Sequence, residues 1–135
     1  MKELHTYSDF QKDTIKIEDY IKENNINHIV GIYRGSLPLS VALSNRCNIP
    51  LSIIDFQTRD GNSKGPVLIK KVKDIDENTL IIDDIYDSGK TLNTIYEKFP
   101  KAKYLTLYKK VSTKPAIPLT YLRETDKWIV FEVWE

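Results

Sequence analysis

The stretch TLIIDDIYDSGKTL, Thr79 to Leu92, decides how this chain folds and what it can hold. Leu80, Ile81 and Ile82 form a continuous apolar run, as in strands buried on both faces. Ligands of open α/β sheets collect at the carboxyl ends of such strands, where Asp83 and Asp84 emerge. Asp87, Ser88, Gly89, Lys90 and Thr91 then turn tightly and open a helix, offering unpaired amide N–H groups to a phosphate. Two adjacent carboxylates suit the hydroxyls of a ribose or a hard cation such as Mg²⁺, and the amide nest suits a phosphate on that ribose. Gly89, Lys90 and Thr91 also match the end of a Walker A loop, but that motif needs a glycine five residues earlier, where this chain has Asp84. A P-loop nucleotidase is therefore disfavoured. An ordinary turn after a strand accounts for the first acids but not for a further one after Ile85 and Tyr86.

At 135 residues the chain is the size of one domain, taken as residues 1–135, with room for one proper core. A formal charge of +1 provides no basic face or tail for a nucleic acid, so a small ligand is the expected partner. Cys47 is the sole cysteine, which excludes an intramolecular disulfide. No apolar run reaches membrane-spanning length and the first residues carry no apolar signal core; a cytoplasmic protein without membrane contact is expected.

Strands alternate with helices along the chain, which predicts a mostly parallel α/β sheet flanked by helices. Tyr7 to Asn24 has helical spacing at Phe10, Ile17, Tyr20 and Ile21, with Ser8 and Gln11 placed for a capping box. His28 to Tyr33 reads as a strand, followed by Arg34, Gly35 and Ser36 and a helix from about Pro38. Leu51 to Phe56 and Val67 to Lys71 read as strands around a polar loop, Gln57 to Pro66, with Gly61 and Gly65 as flexible points. A helix is expected from Thr91 to Phe99, stopped by Pro100. Further strands are expected at Lys103 to Lys110, Leu119 to Leu122 and Trp128 to Trp134.

The run from Thr79 to Leu92 resembles the phosphoribosyl pyrophosphate (PRPP) signature of type I phosphoribosyltransferases: apolar strand, two acids, two mostly apolar residues, Asp, Ser or Thr, Gly, any residue, Thr. Every position is matched. The resemblance implies the type I fold, with a small hood built by the terminal segments, and extends from Thr6 to Glu135. It is nearest to the bacterial xanthine-guanine enzymes. His28 to Leu39 is similar to the family's pyrophosphate loop, which assigns Arg34, Gly35 and Ser36 to PRPP. A strand end, a glycine, a helix N-terminus and an arginine suit a doubly charged leaving group on physical grounds as well. Ser36 departs from the glycine usual in the purine branch.

By the same resemblance, Asp83 and Asp84 hold the ribose hydroxyls and Mg²⁺, and Ser88, Gly89, Lys90 and Thr91 grip the 5-phosphate. Asp87 faces purine N7 as general base, with a helix N-cap as its alternative role. Lys110 reads the 6-oxo group, since an ammonium donates to a carbonyl and not to an amino group; Lys109 competes for that role. Trp128 and Ile129 hold the base, or the tryptophan is a core residue. Glu135, with Glu132 as rival, is implied as a second metal ligand. The implied activity is transfer of the 5-phosphoribosyl group from PRPP to guanine, xanthine or hypoxanthine in purine salvage, by a homodimer or homotetramer. The alternatives are a non-catalytic PRPP-binding regulator and a pyrimidine phosphoribosyltransferase. The loop from Gln57 to Pro66 would close over the reacting centre. It carries Thr58, Arg59 and Asp60 where purine members often have a Ser-Tyr pair.

Overall fold

The computed structural model describes residues 1–33, 35–59 and 62–134, and the side-chain surroundings outside 56–70 and 134. The elements follow as β1 (Lys2–His5), α1 (Tyr7–Glu23), β2 (His28–Tyr33), α2 (Leu37–Cys47), β3 (Leu51–Arg59), β4 (Asn62–Lys70), β5 (Thr79–Tyr86), α3 (Lys90–Lys98), β6 (Lys103–Lys110), β7 (Thr120–Thr125) and β8 (Trp128–Phe131). A 3-10 turn, Glu132–Trp134, follows β8. The main sheet has the order β4-β3-β2-β5-β6-β7, with every neighbouring pair parallel except β3 and β4. Between β2 and β5 the order reverses. Chain segments leaving the carboxyl ends of these two strands therefore diverge and leave a crevice, the usual ligand position in open α/β sheets.

Side chains alternate across the strands and supply two cores. Leu80 and Ile82 of β5 join Ile29, Leu105 and Leu107 on the face covered by Ile17 and Ile21 of α1 and Leu39 and Leu43 of α2. Ile81 joins Val30, Ile32 and Tyr104 on the other face, against Leu92 and Ile95 of α3. Burying a side chain of this size contributes roughly 1.5–3 kcal/mol, so the continuous apolar run of β5 is what a centrally placed strand requires. His28 crosses this layer in a polar line, its ring nitrogens 3.2 Å from Thr79 Oγ1 and 2.6 Å from Ser52 Oγ. Burial holds its pKa below the ordinary value.

β1 and β8 form a separate two-stranded parallel sheet, pairing Lys2 with Trp128 and His5 with Phe131. This is the hood expected from the terminal segments. Its anchor is a buried polar line. His5, 0 % exposed, lies 2.7 Å through Nε2 from Asp13 Oδ2 of α1, and Arg123 of β7 donates to both Asp13 oxygens at 2.8 and 2.6 Å. Burial pushes the Asp13 pKa up, but the hydrogen bonds from Arg123 and His5 outweigh it and hold the carboxyl below its ordinary value. An ionised carboxylate only accepts, so in this contact His5 Nε2–H is the donor. The imidazole packs against the rings of Tyr108 and Phe131, at centroid distances of 5.7 and 5.2 Å.

Three local expectations are corrected. The capping box of α1 is Thr6 with Asp9, not Ser8 with Gln11, because the helix begins at Tyr7. The segment expected as a loop from Gln57 to Pro66 is mostly strand: β3 runs to Arg59 and β4 starts at Asn62, pairing antiparallel with Arg59 opposite Asn62. Its polar residues satisfy a ladder at a sheet edge, where no second apolar face is demanded. β8 stops at Phe131, and the 3-10 turn replaces the rest of the expected strand.

Candidate functional site

The end of β5 and the start of α3 enclose a hollow of about 300 Å³ lined by residues 83–92. The first hydrogen bond of α3 runs from Asn93 N–H to Gly89 C=O at 2.8 Å. The amides ahead of it face out of the helix end, as at any helix N-terminus. No acidic residue occupies the first turn, and the N-cap, Gly89, has no side chain to cap it. Lys90 N–H reaches Ser88 Oγ at 3.3 Å. Beyond that long contact the helix start keeps its partial positive charge with no acidic partner among the described residues, which makes it a site for an anion. Gly89 is required here twice over. Its φ is +87°, and a Cβ would lie 2.6 Å from Cζ of Tyr86. Tyr86 props the loop from beneath, donating to Asn93 Oδ1 at 2.6 Å and accepting from Ala116 N–H at 3.2 Å.

Asp83 and Asp84 still belong to β5, and each turns one oxygen onto the following amide: Asp83 Oδ1 accepts from Asp84 N–H at 2.9 Å and Asp84 Oδ1 from Ile85 N–H at 2.8 Å. Burial, followed by the Asp84 charge beside it, raises the Asp83 pKa well above the ordinary carboxylate value. A cation or sugar hydroxyl would relieve that cost. Across the crevice, Gly35 lies so near that a Cβ would come within 2.8 Å of Asp84 Oδ2. The loop after β2 and the acids of β5 thus meet without a side chain between them. Among the described residues no three His, Cys, Asp or Glu side chains are grouped to cage a metal. Two adjacent carboxylates, each with one oxygen not engaged by a hydrogen bond from the described residues, fit Mg²⁺, which keeps waters and substrate oxygens as its other ligands.

A second, larger cavity of about 650 Å³ adjoins the first, with Asp84, Ile85 and Asp87 lining both. Its far wall is β8 from Trp128 to Phe131, Lys110 stands at one side, and Lys2 of β1 completes the rim. The register that pairs Tyr86 with Lys109 brings Asp87 level with Lys110 at the carboxyl ends of β5 and β6. Trp128 is 68 % exposed, so its ring is available for stacking and is not a core residue. Ile129 contributes to the same wall while packing on the core. Lys110 Nζ donates to Lys127 C=O at 2.7 Å, next to the start of β8. Lys109 points elsewhere. It is 5 % exposed, donates to the carbonyls of Lys110 and Thr113 at 2.8 Å each, and lies 3.5 Å from Glu124.

The smaller hollow, with its helix start and acids, opens onto a larger pocket walled by an exposed tryptophan, an arrangement with room for a phosphorylated sugar beside a flat ring. The family profile described as "Phosphoribosyl transferase domain" matches residues 7–128. The chain belongs to the phosphoribosyltransferase family. Xanthine-guanine phosphoribosyltransferase of Cereibacter sphaeroides (strain ATCC 17025 / ATH 2.4.3) is 32 % identical over 111 residues, covering 76 % of this chain and 66 % of that protein. The chain thus spans just under two thirds of the length of that curated relative. The purine phosphoribosyltransferase structure from Pyrococcus horikoshii Ot3 superimposes with a TM-score of 0.80 at 30 % identity, over 96 % of this chain and 91 % of that one. Helicobacter pylori xanthine-guanine-hypoxanthine phosphoribosyltransferase shares the fold, with a TM-score of 0.79 at 24 % identity over 100 % and 94 % of the two chains.

The residues expected at the site from the sequence divide into groups. Gly35, Asp84, Asp87, Lys110, Trp128 and Ile129 meet at the larger cavity, and Asp83, Ser88, Gly89, Lys90 and Thr91 line the smaller one with Asp84 and Asp87. Ser36 lines neither. It is 1 % exposed, and its hydroxyl bonds Ile32 N–H at 2.8 Å and Ile32 C=O at 3.0 Å, so it shapes the turn before α2. Asp87 is not the cap of α3, because Gly89 is. Glu132 is committed elsewhere, accepting from Tyr7 N–H at 2.8 Å. Arg34 and Glu135 lie outside the described residues, as do Asp60 and Gly61. Sequence reasoning missed Tyr86 as the loop's prop and Lys2 as a pocket residue. A tyrosine within the signature gave a faint signal for the first; the four residues of β1 show no pattern that marks the second.

Proposed function

We propose that the protein transfers the 5-phosphoribosyl group of PRPP to a 6-oxopurine, giving a nucleoside monophosphate and pyrophosphate. The observation that carries this is the junction of the two cavities at Asp84 and Asp87. A ribose seated there would have its 5-phosphate on the amides at the start of α3 and its anomeric carbon toward the pocket under Trp128. Bond breaking at that carbon builds oxocarbenium character, as in glycoside transfer, so both the sugar hydroxyls and the leaving group need fixed partners.

Asp83 and Asp84 orient the ribose hydroxyls. They would also hold Mg²⁺, which when bound offsets negative charge on the departing pyrophosphate. Gly35 leaves room for that group to approach the backbone, and Arg34 is assigned to it by resemblance. Asp87, exposed and level with Lys110, is placed to take the proton from the imidazole ring of the base. Lys110 donates to the 6-oxo group by exchanging its bond to the Lys127 carbonyl. Adenine, with an amino group there, has no acceptor to offer. The purine would stack on Trp128.

Initial rates of pyrophosphate release from PRPP and Mg²⁺, with guanine, xanthine, hypoxanthine, adenine, orotate and uracil supplied separately, test the proposal. Release with the 6-oxopurines and not with adenine or the pyrimidines is expected. Release with orotate or uracil alone would reassign the base pocket to a pyrimidine.

A further inference from the structure

Lys2 is the pocket residue that neither the signature nor the base-side resemblance accounts for. Its backbone is held in place. β1 pairs in parallel with β8 with Lys2 opposite Trp128, and Trp128 N–H donates to Met1 C=O at 3.1 Å. Glu3 Oε1 accepts from Thr125 Oγ1 at 3.1 Å, and His5 is locked between Asp13 and two aromatic rings. Partners in register on a parallel pair project to the same face, so the Lys2 stem leaves the hood beside the Trp128 ring. Both residues line the larger cavity.

Among the described residues lining that cavity, two are cations, Lys2 and Lys110. They differ in position. Lys110 stands level with Asp87 at the strand ends, whereas Lys2 lies beyond β8, on the hood. A purine with its imidazole ring at Asp87 and its 6-oxo group at Lys110 extends its remaining edge, which carries the 2-position, toward the hood. An ammonium has three donors and no acceptor. It attracts a carbonyl or an anionic edge and meets the amino group of guanine donor to donor.

We infer that Lys2 is a specificity-determining residue of the base pocket, donating to the 2-position edge of the purine and favouring a 2,6-dioxopurine such as xanthine over a 2-aminopurine such as guanine. The inference rests on the 6-oxopurine transfer proposed above. Discrimination arises from both an attraction and a built-in mismatch, as selective sites commonly combine them. Lys2 is exposed, so solvent screening keeps the effect moderate.

The test compares kcat and KM for xanthine, guanine and hypoxanthine in the wild type, Lys2→Met and Lys2→Arg, with the KM for PRPP measured alongside. In Lys2→Met the xanthine-to-guanine ratio of kcat/KM is expected to fall by about tenfold, the scale of one charge-assisted hydrogen bond. The change should appear in the KM for xanthine and not in the KM for PRPP, and Lys2→Arg should restore most of the ratio. A ratio unchanged within about twofold in Lys2→Met, with purine turnover intact, overturns the role of Lys2 and leaves the transferase standing. Absence of turnover with all three purines in the wild type overturns the transferase, and the inference with it.

Discussion

The proposed phosphate hollow is one unbroken run, residues 83–92, while the proposed base pocket brings together residues as distant in sequence as Lys2 and Trp128. The first is shaped by backbone: a strand end, a left-handed glycine and the free amides of a helix. The second is shaped by side chains on a small sheet that owes its position to the His5, Asp13 and Arg123 line. A phosphate looks the same in every substrate, and a local backbone nest suffices for it. A base must be distinguished from other bases, which needs side chains converging from several elements. Damage to the two halves should therefore separate into loss of PRPP binding and loss of base binding.

The largest expected effect falls where the halves meet. Asp87→Asn should lower kcat by about 10²–10⁴-fold, the usual worth of a positioned general base, with little change in PRPP affinity. Equal kcat in variant and wild type would remove Asp87 from the chemistry.

Next is the hood anchor. Arg123→Leu strips Asp13, whose side chain is 0 % exposed, of its bidentate partner and should cost about 3 kcal/mol of stability in denaturant titrations. The sign with pH follows from the lowered Asp13 pKa. In the wild type this carboxylate stabilises the fold at all pH above its ordinary value of 3.8, and the contribution is lost as pH falls through the lower folded value. Without Arg123, burial acts with only His5 against it, so acid unfolding should begin at higher pH. Where Arg123→Leu remains folded, the KM for the base should rise more than that for PRPP.

Gly89→Ala strikes the other half. A left-handed residue with a Cβ costs about 1–2 kcal/mol, and contact with the Tyr86 ring adds to it, so PRPP affinity should fall while the base pocket keeps its walls. Titration of PRPP into the variant checks this. The smallest change is Trp128→Ala, which should raise the KM for the base by about tenfold, spare PRPP and leave the melting temperature nearly unaltered because the ring is exposed. A marked loss of stability would return Trp128 to the core.

The same contrast governs what the sequence revealed. Thr79 to Leu92 carried its strand, acids, turn and helix in order, because the apolar run, the paired carboxylates, the glycine and the helix start are each marked by residue types within the stretch itself. His28 to Tyr33 and Lys103 to Lys110 were legible to the residue, the first as a short apolar run and the second as a Tyr-Leu-Thr-Leu-Tyr stretch of strand-favouring residues bounded by lysines. The β3–β4 arm was not. Its ladder satisfies polar residues that composition alone assigns to a loop. β1 is four residues long, below the length at which alternation is readable, and its partner lies at the opposite end of the fold's sequence. Lys110 was assigned by resemblance with Lys109 as rival; adjacent strand residues face opposite sides, and it is Lys110 that lines the larger cavity while Lys109 turns to the carbonyls of Lys110 and Thr113.

Central to this account is that one ribose spans the two halves while its base is exchanged for pyrophosphate. Mass-spectrometric detection of nucleoside monophosphate formed from PRPP and each 6-oxopurine, in wild type and Asp87→Asn with PRPP affinity measured for both, tests it most directly. The account predicts nucleotide in the wild type, sharply reduced in the variant, with PRPP bound equally well by the two. PRPP binding without nucleotide from any of the 6-oxopurines in the wild type would contradict it.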